Sequence, residues 1–251
     1  MRIALIYFSG VGSTKHIISS MANYLRELDI STEKIPVDRY GKLPLNCDAY
    51  IFGTPVYHGE PAKPVLSFIQ QLSKLDEAKP ALVFSSYGLC KGFTNRHLAE
   101  ILYDKNLKTV MNSGYRSPAS DGTLFLQNVK RFFSFEKNVE DHIKKDIDNF
   151  VDLVNNESTL YSKPRITIGA VLNMPNAYFG GKTKLKIRLH EDKCIKCNLC
   201  VKNCPVKAIT MDERGYPCIN REDCLNCYRC IHKCPKLALS LGKKEILKVI
   251  K

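Results

Sequence analysis

Residues 193–210 read KCIKCNLCVKNCPVKAIT and residues 223–240 read DCLNCYRCIHKCPKLALS, one unit written twice at an offset of 30. Four cysteines, the proline after the last of them and one alanine coincide. The apolar pairs Ile195/Leu225, Val201/Ile231 and Ile209/Leu239 agree in character. Self-similarity of this kind marks a duplicated supersecondary unit. Each copy has the form C-x2-C-x2-C-x3-C-P: Cys194, Cys197, Cys200 and Cys204 before Pro205, then Cys224, Cys227, Cys230 and Cys234 before Pro235. Three thiolates at steps of three let a tight loop wrap one face of an iron–sulfur cube. Structural zinc sites instead use two C-x2–4-C pairs with a longer spacer, and a third C-x2-C step has no role around one tetrahedral ion. Disulfides do not suit a cytosolic chain, where thiols stay reduced and such spacings read as metal ligation.

On these eight cysteines, residues 185–241 resemble the two-cluster bacterial ferredoxins. The resemblance implies a small α+β ferredoxin-like domain holding two [4Fe–4S] clusters with crossed ligation. Cys194, Cys197, Cys200 and Cys234 would hold one cluster, and Cys224, Cys227, Cys230 and Cys204 the other. Cys218 and Cys47 stand outside the motifs and read as buried small hydrophobes. His232, between two ligand positions, reads as a surface residue.

The first 155 residues follow another rule. An apolar run at Arg2–Phe8 reads as a buried strand, and Ile17, Ile18, Met21, Leu25 and Leu28 recur at helical spacing. Further strands are expected at residues 30–36, 49–54, 81–86 and 107–112, and helices at 62–75, 94–103 and 139–154. Strands alternating with helices predict a parallel sheet covered on both faces. Residues 158–184 read as a connector, with an extra strand expected within 165–172. Residues 242–251 read as a basic tail and 113–135 follow no assignable pattern.

Three loops carry the binding chemistry of this half. Ser9, Gly10, Val11, Gly12, Ser13 and Thr14 follow the first strand and open the first helix. Glycines admit an anion close to the backbone N–H groups, hydroxyls add donors and the helix N-terminus adds positive potential. The dinucleotide fingerprint fails because Lys15 stands where its third glycine belongs, and the Walker Gly-Lys-Ser/Thr is absent. Two more loops follow strands: one holds Pro55, Val56, Tyr57, His58 and Gly59, the other Ser86, Tyr87, Gly88 and Gly92. Each sets a tyrosine beside glycine, which suits a flat aromatic ligand with a polar edge. The stretch LIYFSGVGST at residues 5–14 resembles the phosphate loop of flavodoxins. The resemblance implies a flavodoxin-like doubly wound parallel sheet of order 2-1-3-4-5 over residues 1–157. It also implies FMN with its phosphate on Ser9–Thr14 and its ring between Tyr57 and Tyr87. The His58-Gly59 peptide would then occupy the place of one that flips toward the ring.

Charge divides the chain as the motifs do. Residues 1–157 sum to +1 and residues 158–251 to +12. Cluster charge offsets about 4 of those, and the surplus points to redox partner proteins with an acidic docking surface rather than to nucleic acid. No run reaches the roughly 20 apolar residues of a membrane span. The N-terminus lacks the apolar region of a signal peptide, so a cytoplasmic location is expected. The whole chain resembles the fused flavodoxin–ferredoxin proteins of anaerobes. That resemblance implies electron transfer among two clusters, FMN and external partners, with no catalytic side chain. The alternative is a reductase that passes electrons from the flavin to a small acceptor, with His58, Cys90, Tyr87 or Asp121 lining its pocket.

Overall fold

A computed structural model describes residues 1–38, 42–157, 161–166, 170, 171, 174, 186–242, 246 and 250. The N-terminal half alternates strand and helix. Its elements run β1 (Arg2–Tyr7), α1 (Ser13–Glu27), β2 (Ser31–Pro36), β3 (Ala49–Tyr57) and the short β4 (Glu60–Pro61). Then come α2 (Lys63–Gln71), β5 (Lys79–Tyr87), α3 (Thr94–Tyr103), β6 (Leu107–Arg116), α4 (Gly122–Phe125) and α5 (Val139–Asn155). The sheet order is β2-β1-β3-β5-β6, all parallel, with β4 folded back antiparallel on β3. With β4 set aside as a hairpin, this is the expected 2-1-3-4-5 order.

Alternation along each strand explains why both faces must be covered. Ile3, Leu5 and Tyr7 of β1 join Ile51 of β3 and Leu82 and Phe84 of β5 in one core, under α1 and α5. The intervening Ala4, Ile6, Tyr50, Phe52, Ala81 and Val83 fill a second core, under α2 and α3. Helix α1 turns Ile17, Ile18, Met21, Ala22 and Leu25 inward, as the periodicity predicts. A buried polar cluster fastens α5 to β6: Tyr115 donates its hydroxyl to Asp146 at 2.6 Å, and Ser113 donates to the same carboxylate.

The cysteine-rich half is built from β7 (Ile187–Leu189), α6 (Leu199–Lys202), β8 (Ile209–Met211), β9 (Pro217–Ile219), α7 (Arg229–His232) and β10 (Leu239–Leu241). β7 pairs antiparallel with β10, and β8 with β9. The two copies repeat each other in backbone as well as in sequence. Lys196/Asn226, Asn198/Tyr228 and Lys207/Leu237 all take positive φ, between 49° and 61°. Six non-glycine residues in the left-handed region carry strain, which persists where a functional loop demands it.

Two readings change. Cys218 pairs with Thr210 on the β8–β9 hairpin and is exposed, because its side of the hairpin has no layer packed on it. His232 is 4% exposed, since α7 lies against the N-terminal half. Cys47, 3% exposed, is buried as expected. Of the strand expected within 165–172, residues 167–169 and 172 lie outside the described residues, and Arg165 and Ile166 are not in a strand. Most of the basic tail lies outside them too.

Candidate functional site

The C-terminal ends of β1, β3, β5 and β6 open onto one pocket, the place where open α/β sheets bind ligands. The loop after β1 supplies Ser9, Gly10, Val11, Ser13 and Thr14 to its wall. The end of β3 supplies Pro55, Val56 and Tyr57, and the end of β5 supplies Ser86, Tyr87 and Gly88. Residues 117–121, following β6, close the fourth side. Of the fifteen residues expected to bind the cofactor, Gly12, His58, Gly59 and Gly92 do not line this pocket.

The loop after β1 is tied to its neighbours through its hydroxyls. Ser9 Oγ accepts the N–H groups of Gly12 at 3.2 Å and Lys15 at 3.1 Å, which fixes the turn into α1. Ser13 donates to the Pro118 carbonyl at 3.1 Å, and the hydroxyls of Thr14 and Ser86 meet at 2.8 Å. Gly12 takes φ 115°, so a side chain there would be strained. The N–H groups of Ser13 and Thr14 stand in the first turn of α1, where no intrahelical acceptor exists.

The tyrosine loops are held by close backbone packing. His58 and Gly59, at φ 54° and 84°, form the two-residue turn of the β3–β4 hairpin, in the primed geometry that such hairpins favour. Gly59 accepts the Phe93 N–H at 3.0 Å. A Cβ on Gly92 would lie 2.6 Å from Gly59 Cα, so these two expected residues pack on each other. A Cβ on Gly10 would lie 2.1 Å from Tyr57 Oη. One on Gly88 would lie 2.5 Å from Ala119 Cβ. Burial pushes the Tyr57 hydroxyl well above its ordinary pKa and raises that of Tyr87, so both stay protonated. Burial lowers His58. Of the four residues named for a reductase pocket, Tyr87 and Asp121 line this one, while His58 and Cys90 do not.

In the C-terminal half, Cys194, Cys197, Cys200 and Cys234 edge one cavity. Cys204 is electrostatically coupled to Cys227 and Cys230, which lie near Cys224. The last cysteine of each copy therefore sits among the first three of the other. Ala208 donates its N–H to Cys204 Sγ at 3.2 Å, and Ala238 donates to Cys234 Sγ at the same distance. Burial opposes the charged thiolates, raising Cys200 and pushing Cys227 up to about 11. Among the described residues, no three Cys, His, Asp or Glu close around a single metal ion.

The two sites meet at α7. Arg229, whose side chain is 14% exposed, donates to the carbonyls of Ser9 at 2.6 Å, Gly10 at 2.8 Å and Asn203 at 3.2 Å, and pairs with Asp38 at 2.8 Å. A trans peptide sends its N–H opposite to its carbonyl. Holding these two carbonyls therefore turns the N–H groups of Gly10 and Val11 away from Arg229. Three residues on, His232 Nε2 donates to the Ser120 carbonyl at 2.8 Å, while its Nδ1 accepts the Ile250 N–H at 3.1 Å. That pair of bonds defines a neutral ring, and burial lowers the pKa accordingly. Leu225 packs against the second N-terminal core, and Leu124 of α4 enters the C-terminal one. Residues 117–120, Arg229 and His232 were absent from the expected site, and Asp121 was expected only in the reductase alternative. The first group follows a parallel strand, which is a usable signal; the other two bond backbone carbonyls, which sequence does not mark.

The donor sets suit the expected groups. Around the first pocket, first-turn N–H groups and hydroxyls fit a phosphate, and Asp121, the one carboxylate of the wall, is occupied by the Gly122 N–H at 2.8 Å. Gly10 and Gly88 admit the close approach of Tyr57 and Ala119 that shapes this wall. In the second half, thiols with backbone N–H groups aimed at sulfur suit iron–sulfur ligation, where such bonds tune potential.

A flavodoxin domain model matches residues 4–119, and a 4Fe–4S dicluster domain model matches residues 193–238. Subunit PorD of pyruvate synthase from Pyrococcus horikoshii is 40% identical over 57 residues, or 21% of this chain and 54% of that subunit. Its counterpart from Pyrococcus furiosus is 39% identical over the same shares. The chain thus spans about half the length of the curated relatives it matches. Among solved structures, a flavodoxin from the domain Archaea superposes with TM-score 0.46 at 15% identity, covering 62% of this chain and 99% of that one. Oxidised flavodoxin 1 from Bacillus cereus gives 0.44 at 16%, covering 61% and 98%. Residues 4–119 are a flavodoxin domain and residues 193–238 a 4Fe–4S dicluster domain, an order consistent with a flavodoxin–ferredoxin fusion.

Proposed function

We propose that this chain is an electron carrier that exchanges electrons between two [4Fe–4S] clusters, FMN and separate redox proteins. FMN accepts one or two electrons where clusters pass one, so the pair converts between the two regimes. In this reading, which takes 1–157 and 185–241 as the two domains, Ser9–Thr14 hold the phosphate through N–H groups and hydroxyls. Pro55–Tyr57 and Ser86–Gly88 flank the ring, and residues 117–121 complete the wall. Cys194, Cys197, Cys200 and Cys234 hold one cluster; Cys204, Cys224, Cys227 and Cys230 hold the other.

The observation that carries the reading is the seam. Arg229 stands between two cysteines of the second unit and holds the carbonyls of Ser9 and Gly10. A cluster held by those cysteines would therefore adjoin the flavodoxin pocket, since Gly10 of its wall lies beside both Tyr57 and Cys227. The similarity to a pyruvate synthase subunit supports a role in anaerobic metabolism; acidic partner surfaces are proposed on the +12 charge of residues 158–251, and a cytoplasmic location is part of the same proposal. Anaerobic purification followed by iron, sulfide and flavin analysis and EPR of the reduced protein tests the cofactors. Eight irons and one FMN per chain are expected on the ligand count of two cubes. Zinc or a colourless protein would sink the proposal. Mixing reduced protein with small acceptors then separates a carrier, which discharges stoichiometrically, from a reductase, which turns over.

A further inference from the structure

The duplicated unit offers its own control, because one copy is covered by the flavodoxin domain and the other is not. In the second copy Cys227 is 8% exposed, Tyr228 4%, Ile231 0% and His232 4%. Their counterparts in the first copy, Cys197, Asn198, Val201 and Lys202, are all more open, and Cys197 and Lys202 are exposed. Leu225 packs on the flavodoxin core, whereas its counterpart Ile195 is 56% exposed. Arg229 reaches the loop after β1, whereas its counterpart Leu199 is 38% exposed. Among the described residues, the cavity edged by Cys194, Cys197, Cys200 and Cys234 is lined by residues of the C-terminal half.

We infer that the Ile195–Lys202 face is the docking surface for an external electron-carrier protein, the uncovered twin of the face that seats the flavodoxin domain. This rests on the carrier function proposed above. In the second cysteine set Cys227 and Cys230 are buried and Cys204 and Cys224 half-buried, whereas the first set has no buried member and Cys197 is exposed, so the first set is the more open entry for an electron from outside. The partner's chemistry follows from the surface. Ile195 and Leu199 make an apolar centre, while the exposed Lys202 and Lys236 stand at its edge, Lys236 on the same cavity rim. An apolar patch rimmed by carboxylates complements it, in the way that Asp38 answers Arg229 on the twin face. The exchange is balanced: one electron leaves the reduced partner and one cluster accepts it, with no bond made or broken.

The test uses the fully loaded chain and an acidic two-[4Fe–4S] ferredoxin, reduced with dithionite, as the partner probe. The double variant I195E/L199E should slow reduction by that ferredoxin about tenfold or more, the range over which rim and core changes alter association. Reduction by the small carrier methyl viologen should be unchanged. Oxidised ferredoxin should also protect amides of residues 195–202 from hydrogen exchange in the native chain. K202E, which leaves the apolar pair intact, should slow the same reaction and serves if the double variant loses iron. An unchanged ferredoxin rate in both variants overturns the assignment. So does a slowing produced instead by L89E, at the exposed Leu89 beside the flavodoxin pocket. Dimerisation abolished by I195E would assign the face to a second copy and also overturn it. Failure of the carrier reading would show separately, as missing iron or flavin in the native chain.

Discussion

Replacing Arg229 by alanine removes the side chain that joins the two halves. It takes away three hydrogen bonds to carbonyls and the partner of Asp38, whose side chain is 9% exposed. Bonds from a charged donor are worth about 1.5–3 kcal/mol each, and breaking a buried ion pair costs about 3–5 kcal/mol because one charge is left unpaired. These terms share one guanidinium and do not add, so the expected loss in docking free energy is about 3–5 kcal/mol. At about 1.4 kcal/mol per decade, the undocked fraction rises by a factor of about 10² to 4 × 10³. The assay is native-state hydrogen exchange on the loaded protein, followed at residues 8–12 and 225–232. Exchange in both segments should accelerate together, and flavin titration should show weaker FMN binding, since the Ser9 and Gly10 peptides lose their fixed orientation. Arg229→Lys keeps the charge but not the planar fork, so it should fall between the two. Unchanged exchange and flavin affinity in a folded Arg229→Ala protein would refute the role given to this residue.

Three further outcomes follow from the same coordinates. Gly88→Val should displace residues 117–121, because even a Cβ there would meet Ala119 Cβ at 2.5 Å. Flavin content should fall while iron is retained. Asp146→Ala leaves the hydroxyls of Ser113 and Tyr115 without their acceptor and should cost about 2–3 kcal/mol of flavodoxin-domain stability in urea unfolding. The hydrogen bond that His97 Nδ1 donates to Glu60 raises the pKa of His97, against the opposing effect of burial. A base whose pKa is raised on folding adds stability that is full below its unfolded value, 6.5 here, and disappears as pH rises through the folded value. The pair is partly exposed, so His97→Gln should cost at most about 0.5 kcal/mol near pH 5 and nothing near pH 9, a difference that vanishes if the bond is absent.

The sheet was legible because its central strands β1, β3 and β5 are buried on both faces. Runs such as Ala4–Phe8 and Ala49–Phe52 leave no polar residue in register, and helices of clear period fall between them. The cysteine half was legible because ligation fixes spacing more tightly than packing does. Boundaries moved where a strand outlasts its apolar run: β3 continues through Pro55–Tyr57 and β6 through Gly114–Arg116. Residues 117–121 gave no period because they are a loop held by carbonyls, through Ser13 to Pro118 and His232 to Ser120. Position gave the only signal, since they follow the next parallel strand beyond three already read as binding loops. Cys218 was misjudged because an apolar neighbour on each side does not reveal whether a two-stranded hairpin is covered.

His232 and Arg229 were opaque for a deeper reason. A side chain that bonds a backbone carbonyl needs no particular residue at the other end, so Ser9, Gly10 and Ser120 carry no mark of their partners. What does carry a mark is the comparison of the two copies. Ligation demands the cysteines, the prolines and the positive-φ residues in both, and these are the features that agree. Leu199/Arg229 and Lys202/His232 differ, although each pair lies on the same side of its short helix and neither is asked to hold a metal. In one copy those two positions grip the rims of the flavodoxin pocket; in the other they face solvent. Divergence between duplicated units at positions outside the cysteine pattern therefore locates the interface, and it separates the more buried cysteine motif from the more open one within a single chain.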